Sequence, residues 1–481
     1  MTWHKRILRR LILAILARSS PEKLLYRGEQ RVLRAFRRAA SRVPAYMEIL
    51  AEHGVDPRDI RSIAEFQSLC PTLNKNNTFA RFSLEALCVA SALDNLAGVM
   101  TSSGHGARFG YGLSTRAQAQ HTSDAIDLGL EYAFQVDSIK TLLINCLPMG
   151  VRFSSNSVAV AETSVREDMA VALATEFGSF FGQIIFVGDP LFLKLLTDYA
   201  RDHGVNWKKH RMHLIIGEET FGENYRNYLA DHFHIDADDP SGGMIGSSMG
   251  VGELGLNLFY ETPQTIKLRR QAHANPEFFE ALFGVSPKAA PLPMLFVYNP
   301  LRCHVETVGT DAAGYGDLTV SMSDLESALP LLRYQTGDIA RLLSQQDIAR
   351  ACARAGLPLP GNLLLPIIAL KGREKDRLPD GTYTGQYKDA LYARRDIAIK
   401  LTGAFRLEHD PGESMLIHVQ LRRGFQAEDG LRERIASEFP GAILPEQVCI
   451  WAYDQFPFGM TLDYERKFSY YSPSQPVNKL A

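Results

Sequence analysis

The 481-residue sequence predicts an α/β fold: a large N-terminal domain of layered α/β sheets plus a β-rich subdomain, then a small α+β C-terminal domain. Three observations predict this class. After residue 95, short apolar runs alternate with helical segments, which is typical of parallel strands joined by helices. Residues 291–345 have the spacing of antiparallel strands and turns. From residue 372 the chain is more charged, and about a hundred further residues are enough for a separate domain.

Composition and charge are those of an ordinary globular protein. Hydrophobic residues make up 46% of the chain and the formal net charge is -2. A nucleic-acid-binding protein usually carries a strong basic excess, so no nucleic-acid partner is expected. The six cysteines form no CxxC pair, and we interpret them as reduced thiols of a cytoplasmic protein.

Residues 1–20 combine basic and apolar side chains. They contain five Lys and Arg residues and no acid, and the apolar run at residues 11–17 is far too short to span a bilayer. No clean small-residue cleavage site follows, which argues against a signal peptide. We expect a solvated helix packed on the body of the protein. The alternative is a basic amphipathic helix that touches a membrane surface.

The large domain is predicted over residues 1–371. Residues 1–95 form its helical segment, in which Pro44 interrupts a basic helix and Asp56 opens a new turn. The α/β layers follow over 96–290 and the β-rich subdomain over 291–371. Three apolar runs predict buried strands of the α/β layers: TLLINCLP (141–148), GQIIFVGDP (182–190) and RMHLIIGEE (211–219). The C-terminal domain is predicted over 372–481.

The first candidate binding site is the segment TSSGHGARFG at residues 101–110. Its three glycines let the backbone turn sharply and present N–H groups, while hydroxyls and Arg108 add donors. Such a concavity suits phosphate oxygens. It is not a Walker A loop, because GxxxxGK[ST] is absent. By itself, the segment is more commonly an ordinary loop.

Four further motifs follow in the chain. GSSMGVGE (246–253) places Glu253 after a glycine-rich bend, and RYQTGD (333–338) ends a predicted strand in a turn that carries Asp338. GREKD (372–376) lies where the composition changes. YERKF (464–468) contains Lys467 near the C-terminus. Taken singly, each acid is a common turn residue and the lysine a common surface residue.

In this order, the five motifs resemble those of the adenylate-forming superfamily of acyl-CoA synthetases and ligases. The nearest resemblance is to its phenylacetate–CoA ligase-like branch, which includes capsule-biosynthesis relatives. TSSGHGARFG resembles the phosphate loop TSSGTTGKP, MGVGE resembles YGxTE, and RYQTGD resembles YRTGD. LKGREKD resembles the GRxDD hinge and ERKF resembles GKF. Residues 43–75 resemble the N-terminal part of that branch, so the resemblance covers nearly the whole chain.

The resemblance implies an enzyme that activates a small-molecule carboxylic acid with ATP and Mg²⁺. It would form an acyl-adenylate, release pyrophosphate, and transfer the acyl group to a thiol, which is CoA in phenylacetate–CoA ligase. The small C-terminal domain would be mobile and carry the catalytic lysine. Phosphopantetheine on an acyl carrier protein, or an amine, is the alternative acceptor. A homologue that binds nucleotide without turnover is a second alternative.

The resemblance also implies residue roles. The 101–110 loop would hold the β- and γ-phosphates, and Glu253 would bind Mg²⁺. The residues implied in this loop are Ser102, Ser103, Gly104, His105, Gly106 and Arg108. Gly217 and Glu218 would lie beside adenine, Met249 would occupy the position of the residue that stacks on adenine, and Gly250 would also contribute to binding the nucleotide. Asp338 would accept hydrogen bonds from the ribose hydroxyls, and Arg373 would lie near the ribose or phosphate. Lys467 would bridge the carboxylate and the α-phosphate, acting in catalysis with Glu253 and Arg108.

Some positions depart from the family pattern. His105 replaces a hydroxyl residue, Gly252 replaces a threonine, and the loop lysine is absent, which leaves Arg108 as the nearby cation. Met249 replaces an aromatic residue that stacks on adenine. Because such a stack contributes about 1–3 kcal/mol per base, we expect weakened ATP binding.

The superfamily's acyl pocket falls near residues 145–155 and 215–250. The candidate lining residues predict an apolar acyl group. They are Gly150, Phe153, Ser154, Met244 and Ile245.

Two other patterns point to different chemistry. The pairs His210 and His213, and His232 and His234, hint at a metal site but lack further ligands at metal-binding spacing. GSSMG contains Ser248 without the strand–turn–helix pattern of a nucleophile elbow. We therefore favour the adenylate-forming interpretation.

Overall fold

The computed structural model describes residues 3–101, 109–148, 151–152, 154–239, 242–409, 415–459 and 468–473. The described residues form a sheet of eleven strands flanked by helices, a sheet of four strands and a two-stranded ribbon. The α/β class predicted from the sequence is confirmed.

Five α-helices of the described residues precede the first strand. They are α1 (Trp3–Arg18), α2 (Pro21–Arg42), α3 (Pro44–Glu52), α4 (Ile63–Leu69) and α5 (Leu84–Leu87). Ser20 caps α2 by accepting a hydrogen bond from the Lys23 N–H, and the helix ends before Pro44. The apolar face of α2 enters the main core through Val32 and Phe36, both fully buried.

A ribbon and a long helix follow. They are β1 (Leu96–Thr101), β2 (Tyr111–Thr115) and α6 (Arg116–Phe134). β1 and β2 are antiparallel. A capping box of Thr115 and Gln118 begins α6.

The next elements are five strands, and helices connect the last four of them. They are β3 (Thr141–Asn145), β4 (Ala159–Glu162), α7 (Glu167–Phe177), β5 (Gln183–Gly188), α8 (Pro190–Asp202), β6 (Met212–Ile216), α9 (Glu223–Phe233) and β7 (Met244–Val251). These five strands are parallel. β3 and β5 are buried throughout, as their continuous apolar runs predict.

Antiparallel strands complete the large sheet. The elements are β8 (Gly255–Tyr260), α10 (Pro263–Ala274), α11 (Pro276–Phe283), β9 (Met294–Tyr298), β10 (Cys303–Val308), β11 (Gly316–Met322), β12 (Tyr334–Leu343), α12 (Gln345–Arg354) and β13 (Ile367–Arg373). The strand order is β10-β11-β12-β13-β9-β8-β7-β6-β5-β3-β4. β7 is parallel to β6 and antiparallel to β8, so the sheet changes character there.

The remaining elements surround the four-stranded sheet. They are α13 (Thr384–Ala390), α14 (Arg395–Ala398), β14 (Leu401–His409), β15 (Leu416–Leu421), α15 (Leu431–Ala436), β16 (Gln447–Trp451) and β17 (Tyr471–Pro473). The sheet order is β16-β15-β14-β17. Its apolar core includes Phe405, Ile417 and Val419, and Leu191 of α8 packs into the same cluster. In the described part of the chain, no helix is long and apolar enough to cross a membrane.

Candidate active site

A cleft of about 1460 Å³ lies at the carboxyl ends of β5, β6 and β7. Val187 and Asp189 at the end of β5, Gly217 after β6 and Met249 on β7 all line it. Open α/β sheets usually bind ligands beyond the carboxyl ends of their strands. The position of the cleft therefore follows from the sheet topology.

Seven of the predicted site residues line this cleft. They are Gly217, Glu218, Met249, Gly250, Glu253, Asp338 and Arg373. The other seven lie outside the described residues. These are Ser102, Ser103, Gly104, His105, Gly106, Arg108 and Lys467. Thr101 and Phe109, which border residues 102–108, both line the cleft.

Asp338 and Arg373 are partners across β12 and β13. The Arg373 Nε–H donates to Asp338 Oδ1 at 3.2 Å, and Asp338 is only 4% exposed. Burial alone would lower the pKa of Arg373, but the Asp338 carboxylate outweighs that effect and the pKa lies above its ordinary value. The pair thus places an ionised carboxylate and a cation at one wall of the cleft.

The prediction that RYQTGD ends a strand in a turn is wrong. Strand β12 continues through this segment and contains a bulge there. Thr319 pairs with Gln335 and Asp317 pairs with Ile339, so residues 336–338 lie opposite a single residue of β11. Gly337 takes φ +81°, a conformation that glycine adopts without strain. Bulges turn side chains out of the regular alternation of a strand. This one accounts for the position of Asp338.

The bend predicted within GSSMGVGE is also displaced. β7 continues to Val251, and Glu253 lies in the tight connection to β8. A Cβ at Gly250 would lie 2.8 Å from the Leu256 Cα, so the hairpin requires glycine there. Half-buried Met249 packs against the main core and lines the cleft.

Glu253 is a buried carboxylate beside Lys75. Its side chain is 3% exposed, and the Lys75 Nζ lies 3.0 Å from Oε1. Apart from this ion pair, that oxygen has no hydrogen-bond partner among the described residues. A Cβ at Gly110 would lie 2.2 Å from the same oxygen, so a larger residue there would displace the Glu253 side chain. Sequence reasoning missed Lys75, although it is the last residue of the 43–75 segment that resembles the family.

The loop after β6 brings more charge to the cleft. Glu218 has φ +69°, a region that costs a non-glycine residue about 1–3 kcal/mol. The next residue, Glu219, accepts hydrogen bonds from Lys388 Nζ at 2.7 Å and from the Tyr470 hydroxyl at 3.0 Å. Lys388 is on α13 and Tyr470 precedes β17, so the C-terminal part of the chain closes one side of the cleft. None of these three partners was identified from the sequence.

Asp189 is a further acid that sequence reasoning missed. It caps α8, since the Phe192 N–H donates to Oδ1 at 3.0 Å. Its Oδ2 is buried with no hydrogen-bond partner in the described part of the chain. Burial raises the pKa of this carboxyl to about 7. In the sequence, Asp189 and Pro190 resemble an ordinary helix start, which conceals the position in the cleft.

The cleft also has an apolar wall, formed by different residues from those predicted. Its members are Ile126, Leu147, Val151, Val187 and Ile215. Ser154, Met244 and Ile245 do not line the cleft, because Met244 and Ile245 begin β7 at its buried amino end. Gly150 and Phe153 lie outside the described residues.

His213 and Ser248, which belong to the metal-site and nucleophile-elbow patterns, have hydrogen-bond partners unrelated to those functions. Buried His213 contacts Gln183 Oε1 at 3.1 Å and accepts the Met244 N–H at Nδ1. The Ser248 hydroxyl donates to Asn257 Oδ1 at 2.8 Å. Among the described residues there is no group of three or more His, Cys, Asp or Glu side chains that could hold a metal ion.

Comparisons with known proteins identify the fold. No protein-family model matches the chain, and no curated protein is similar in sequence. A solved structure of 2-hydroxyisobutyryl-CoA ligase in the postadenylation state, in complex with 2-HIB-AMP, matches with a TM-score of 0.66 and 13% identity, over 95% of this chain and 90% of that chain. An open conformation of that ligase with 2-HIB-AMP and CoA matches with a TM-score of 0.53 and 14% identity, over 94% and 91% of the two chains. The chain therefore has the fold of an acyl-CoA ligase.

Proposed function

We propose that the protein activates a carboxylic acid with ATP to an acyl-adenylate, releasing pyrophosphate, and then transfers the acyl group to CoA. One observation carries the proposal: Glu218, Glu253, Asp338 and Arg373 come from separate stretches of chain and line one cleft. They do so in a chain with the fold of an acyl-CoA ligase.

The first half-reaction joins two anions. A carboxylate oxygen forms a bond to the α-phosphorus of ATP, and the bond from that phosphorus to the pyrophosphate oxygen breaks. Two like charges about 4 Å apart repel by roughly 4 kcal/mol at a near-surface dielectric. Cations in the cleft offset this repulsion by electrostatic stabilisation. Lys75, Arg373, Lys375 and Lys388 line the cleft, and by the resemblance Lys467 would join them.

Asp338 suits a ribose. An ionised carboxylate only accepts hydrogen bonds, and a ribose offers two adjacent hydroxyl donors. Arg373 already binds Oδ1 and holds the side chain in place. Hydrogen bonds to a charged acceptor contribute about 1.5–3 kcal/mol each, so the carboxylate is a strong determinant of nucleotide binding.

Glu253 suits Mg²⁺. The ion takes few carboxylates and completes its coordination with water and phosphate oxygens. Apart from its ion pair with Lys75, the buried Glu253 Oε1 has no hydrogen-bond partner among the described residues, so it is suited to bind this ion. When bound, the ion would supply positive charge to the triphosphate. Lys75 supplies a second positive charge at the same oxygen.

The second half-reaction transfers the acyl group. The thiol sulfur forms a bond to the acyl carbon, the bond from that carbon to the AMP oxygen breaks, and the thiol proton is lost. The proposal includes CoA as the acceptor. It also includes membership of the phenylacetate–CoA ligase-like branch and a mobile C-terminal domain that begins near residue 372. The motif resemblance supports them. The apolar wall supports an acid with an apolar acyl group.

ATP–pyrophosphate exchange with a panel of carboxylic acids tests the first half-reaction. One class of acid should support exchange, and Asp338→Ala should lower the rate about 100-fold or more, because two charged hydrogen bonds are lost. Asp317→Ala is the matched control, since Asp317 lies on the neighbouring strand, accepts a hydrogen bond from Gln335 and does not line the cleft. Absence of exchange with every acid would instead favour a nucleotide-binding homologue without turnover.

A further inference from the structure

Helix α1 packs on the protein through a face that carries both charged and apolar side chains, since Leu16 packs against a buried apolar cluster. The Lys5 Nζ lies 2.9 Å from Asp124 Oδ1, and the Arg9 Nε–H donates to Asp137 Oδ2 at 3.1 Å. The Arg9 side chain is 6% exposed and that of Asp137 is fully buried. Charge-assisted hydrogen bonds of this kind hold a helix in one orientation. The orientation of α1 is therefore set by acids of α6 and of the segment that follows it.

The opposite face of α1 is mostly apolar and exposed, and His4 and Arg18 are the polar side chains on it. Its exposed fractions are Trp3 76%, Ile7 46%, Leu8 55%, Leu11 55% and Ile15 48%. At 3.6 residues per turn these side chains cover an arc of about 140° on one side of the helix. An ordinary surface helix turns such a face to the core, and a contiguous exposed apolar face marks an interaction site. The sequence predicted a helix packed on the body, and the packed face carries Lys5, Arg9 and Leu16.

Exposed cations accompany this apolar face. Residues 1–42 contain twelve Lys and Arg but only two acids, in a chain whose formal net charge is -2. Arg10 and Arg18 on α1 and Lys23, Arg27 and Arg31 on α2 are exposed. None of these five forms an ion pair with another described residue. The N-terminal helices thus combine apolar surface with uncompensated positive charge.

We propose that α1 binds the surface of a membrane that contains anionic lipids. Its apolar face would enter the boundary between headgroups and acyl chains, with Arg10 and Arg18 at the phosphate level. Trp3 suits that boundary, where aromatic residues with one polar atom are enriched. Charge complementarity favours this occupant over a second copy of the chain, whose equally basic helices would repel. The proposal is independent of the proposed ligase activity.

Vesicle co-sedimentation of the full chain tests the proposal. The protein should pellet with vesicles of equal parts phosphatidylcholine and phosphatidylglycerol, and much less with phosphatidylcholine alone. The double variant Leu8→Ser, Leu11→Ser should lose about tenfold or more in binding, because two apolar side chains no longer enter the interface. The control Phe180→Ser, Leu359→Ser changes two similarly exposed apolar residues elsewhere, 66% and 52% exposed, and should bind as the wild type does.

Two further readouts keep the test decisive. Arg10→Gln with Arg18→Gln should weaken binding to the anionic vesicles only, and added salt should have the same effect. Trp3 fluorescence should shift to the blue on binding. The proposal is overturned if the wild type does not pellet with anionic vesicles, or if the Leu8 and Leu11 variant pellets equally well. A dimer that this variant abolishes, without vesicle binding, would show that the face joins two copies.

Discussion

Asp189 shows how one buried side chain can link the cleft to stability. It follows β5, caps α8 and keeps one carboxylate oxygen without a partner among the described residues. Because burial raises its pKa to about 7, the folded protein binds this proton more tightly than the unfolded chain does. Its contribution to stability is therefore present at acidic pH and is lost as the pH rises through about 7.

We predict that Asp189→Asn becomes more stable than the wild type as the pH rises. The amide still accepts the Phe192 N–H as a helix cap, but it carries no charge. Since part of the side chain borders the cleft, we expect a gain of roughly 2 kcal/mol in the free energy of unfolding at about pH 8, and little gain at about pH 4. Denaturant unfolding across this range measures the difference.

Asp56 provides a control of opposite sign. Its side chain is 38% exposed, and its hydrogen bonds with Arg58 lower its pKa to about 2. Its carboxylate stabilises the fold above its ordinary pKa, and this contribution is lost as the pH falls through about 2. Asp56→Asn should therefore be slightly less stable than the wild type at neutral pH. Equal stability of wild type and Asp189→Asn at every pH would mean that the Asp189 carboxyl is solvated.

At the scale of elements, a buried ion network positions α9 and α10 beside the cleft. The Arg226 Nε–H donates to Glu223 Oε2 at 2.9 Å, and Arg226 also pairs with Glu261 at 2.8 Å. Arg269 of α10 pairs with Glu223 and donates to the Phe221 carbonyl at 2.6 Å. Although burial would raise the pKa of Glu223, Arg226 and Arg269 hold it at about 2. The loop that carries Glu218 thus rests on this network.

We predict that Arg269→Met destabilises the protein by about 3–5 kcal/mol, because it removes one of the buried arginines that neutralise Glu223 and leaves the Phe221 and Pro293 carbonyls without this donor. The neighbouring Arg270→Met is the matched control. Arg270 contacts Glu223 at 3.3 Å, but its side chain is 16% exposed and its partner Asp238 is 78% exposed, so we expect a loss of about 1 kcal/mol. Thermal and denaturant unfolding compare the two variants. Equal losses would contradict a special role for the buried network.

The strands also show which structural features can be predicted from sequence patterns and which cannot. Apolar runs predicted β3, β5 and β6, because a strand buried on both faces must be apolar throughout. The bulge at residues 336–338 was not predicted, since it depends on pairing with β11, which is distant in sequence. The continuation of β7 to Val251 was missed for the same reason. Gly250 there fits a close approach to β8 rather than a bend.

The site residues also differ in whether the sequence alone identifies them. Glu253 and Asp338 stand out because they sit in short motifs. Lys75 and Glu219 do not, because only tertiary packing brings Lys75 to Glu253 and Lys388 to Glu219. Met244 and Ile245 were expected in the acyl pocket, but a sequence motif does not show which end of a strand faces a cleft.

At the scale of the whole molecule, one cleft gathers residues from most of the chain. Lys75 comes from the N-terminal helical segment, Glu253 from the β7–β8 connection and Asp338 from the antiparallel strands. Lys388 and Tyr470 approach from the C-terminal part through Glu219. The joining of a carboxylic acid to a nucleotide requires cations that offset the charge of the two anions and acceptor groups that bind the nucleotide. In this cleft, distant stretches of the chain supply both.

The direct test is a mass-spectrometric search for acyl-AMP after incubation of the protein with ATP, Mg²⁺ and a mixed library of carboxylic acids. We predict that one class of acid yields an adenylate, that Asp338→Ala and Lys467→Ala abolish it, and that Asp317→Ala does not. Absence of any acyl-AMP from the wild-type protein, or an undiminished yield from Asp338→Ala, would contradict the proposal that this cleft adenylates a carboxylic acid.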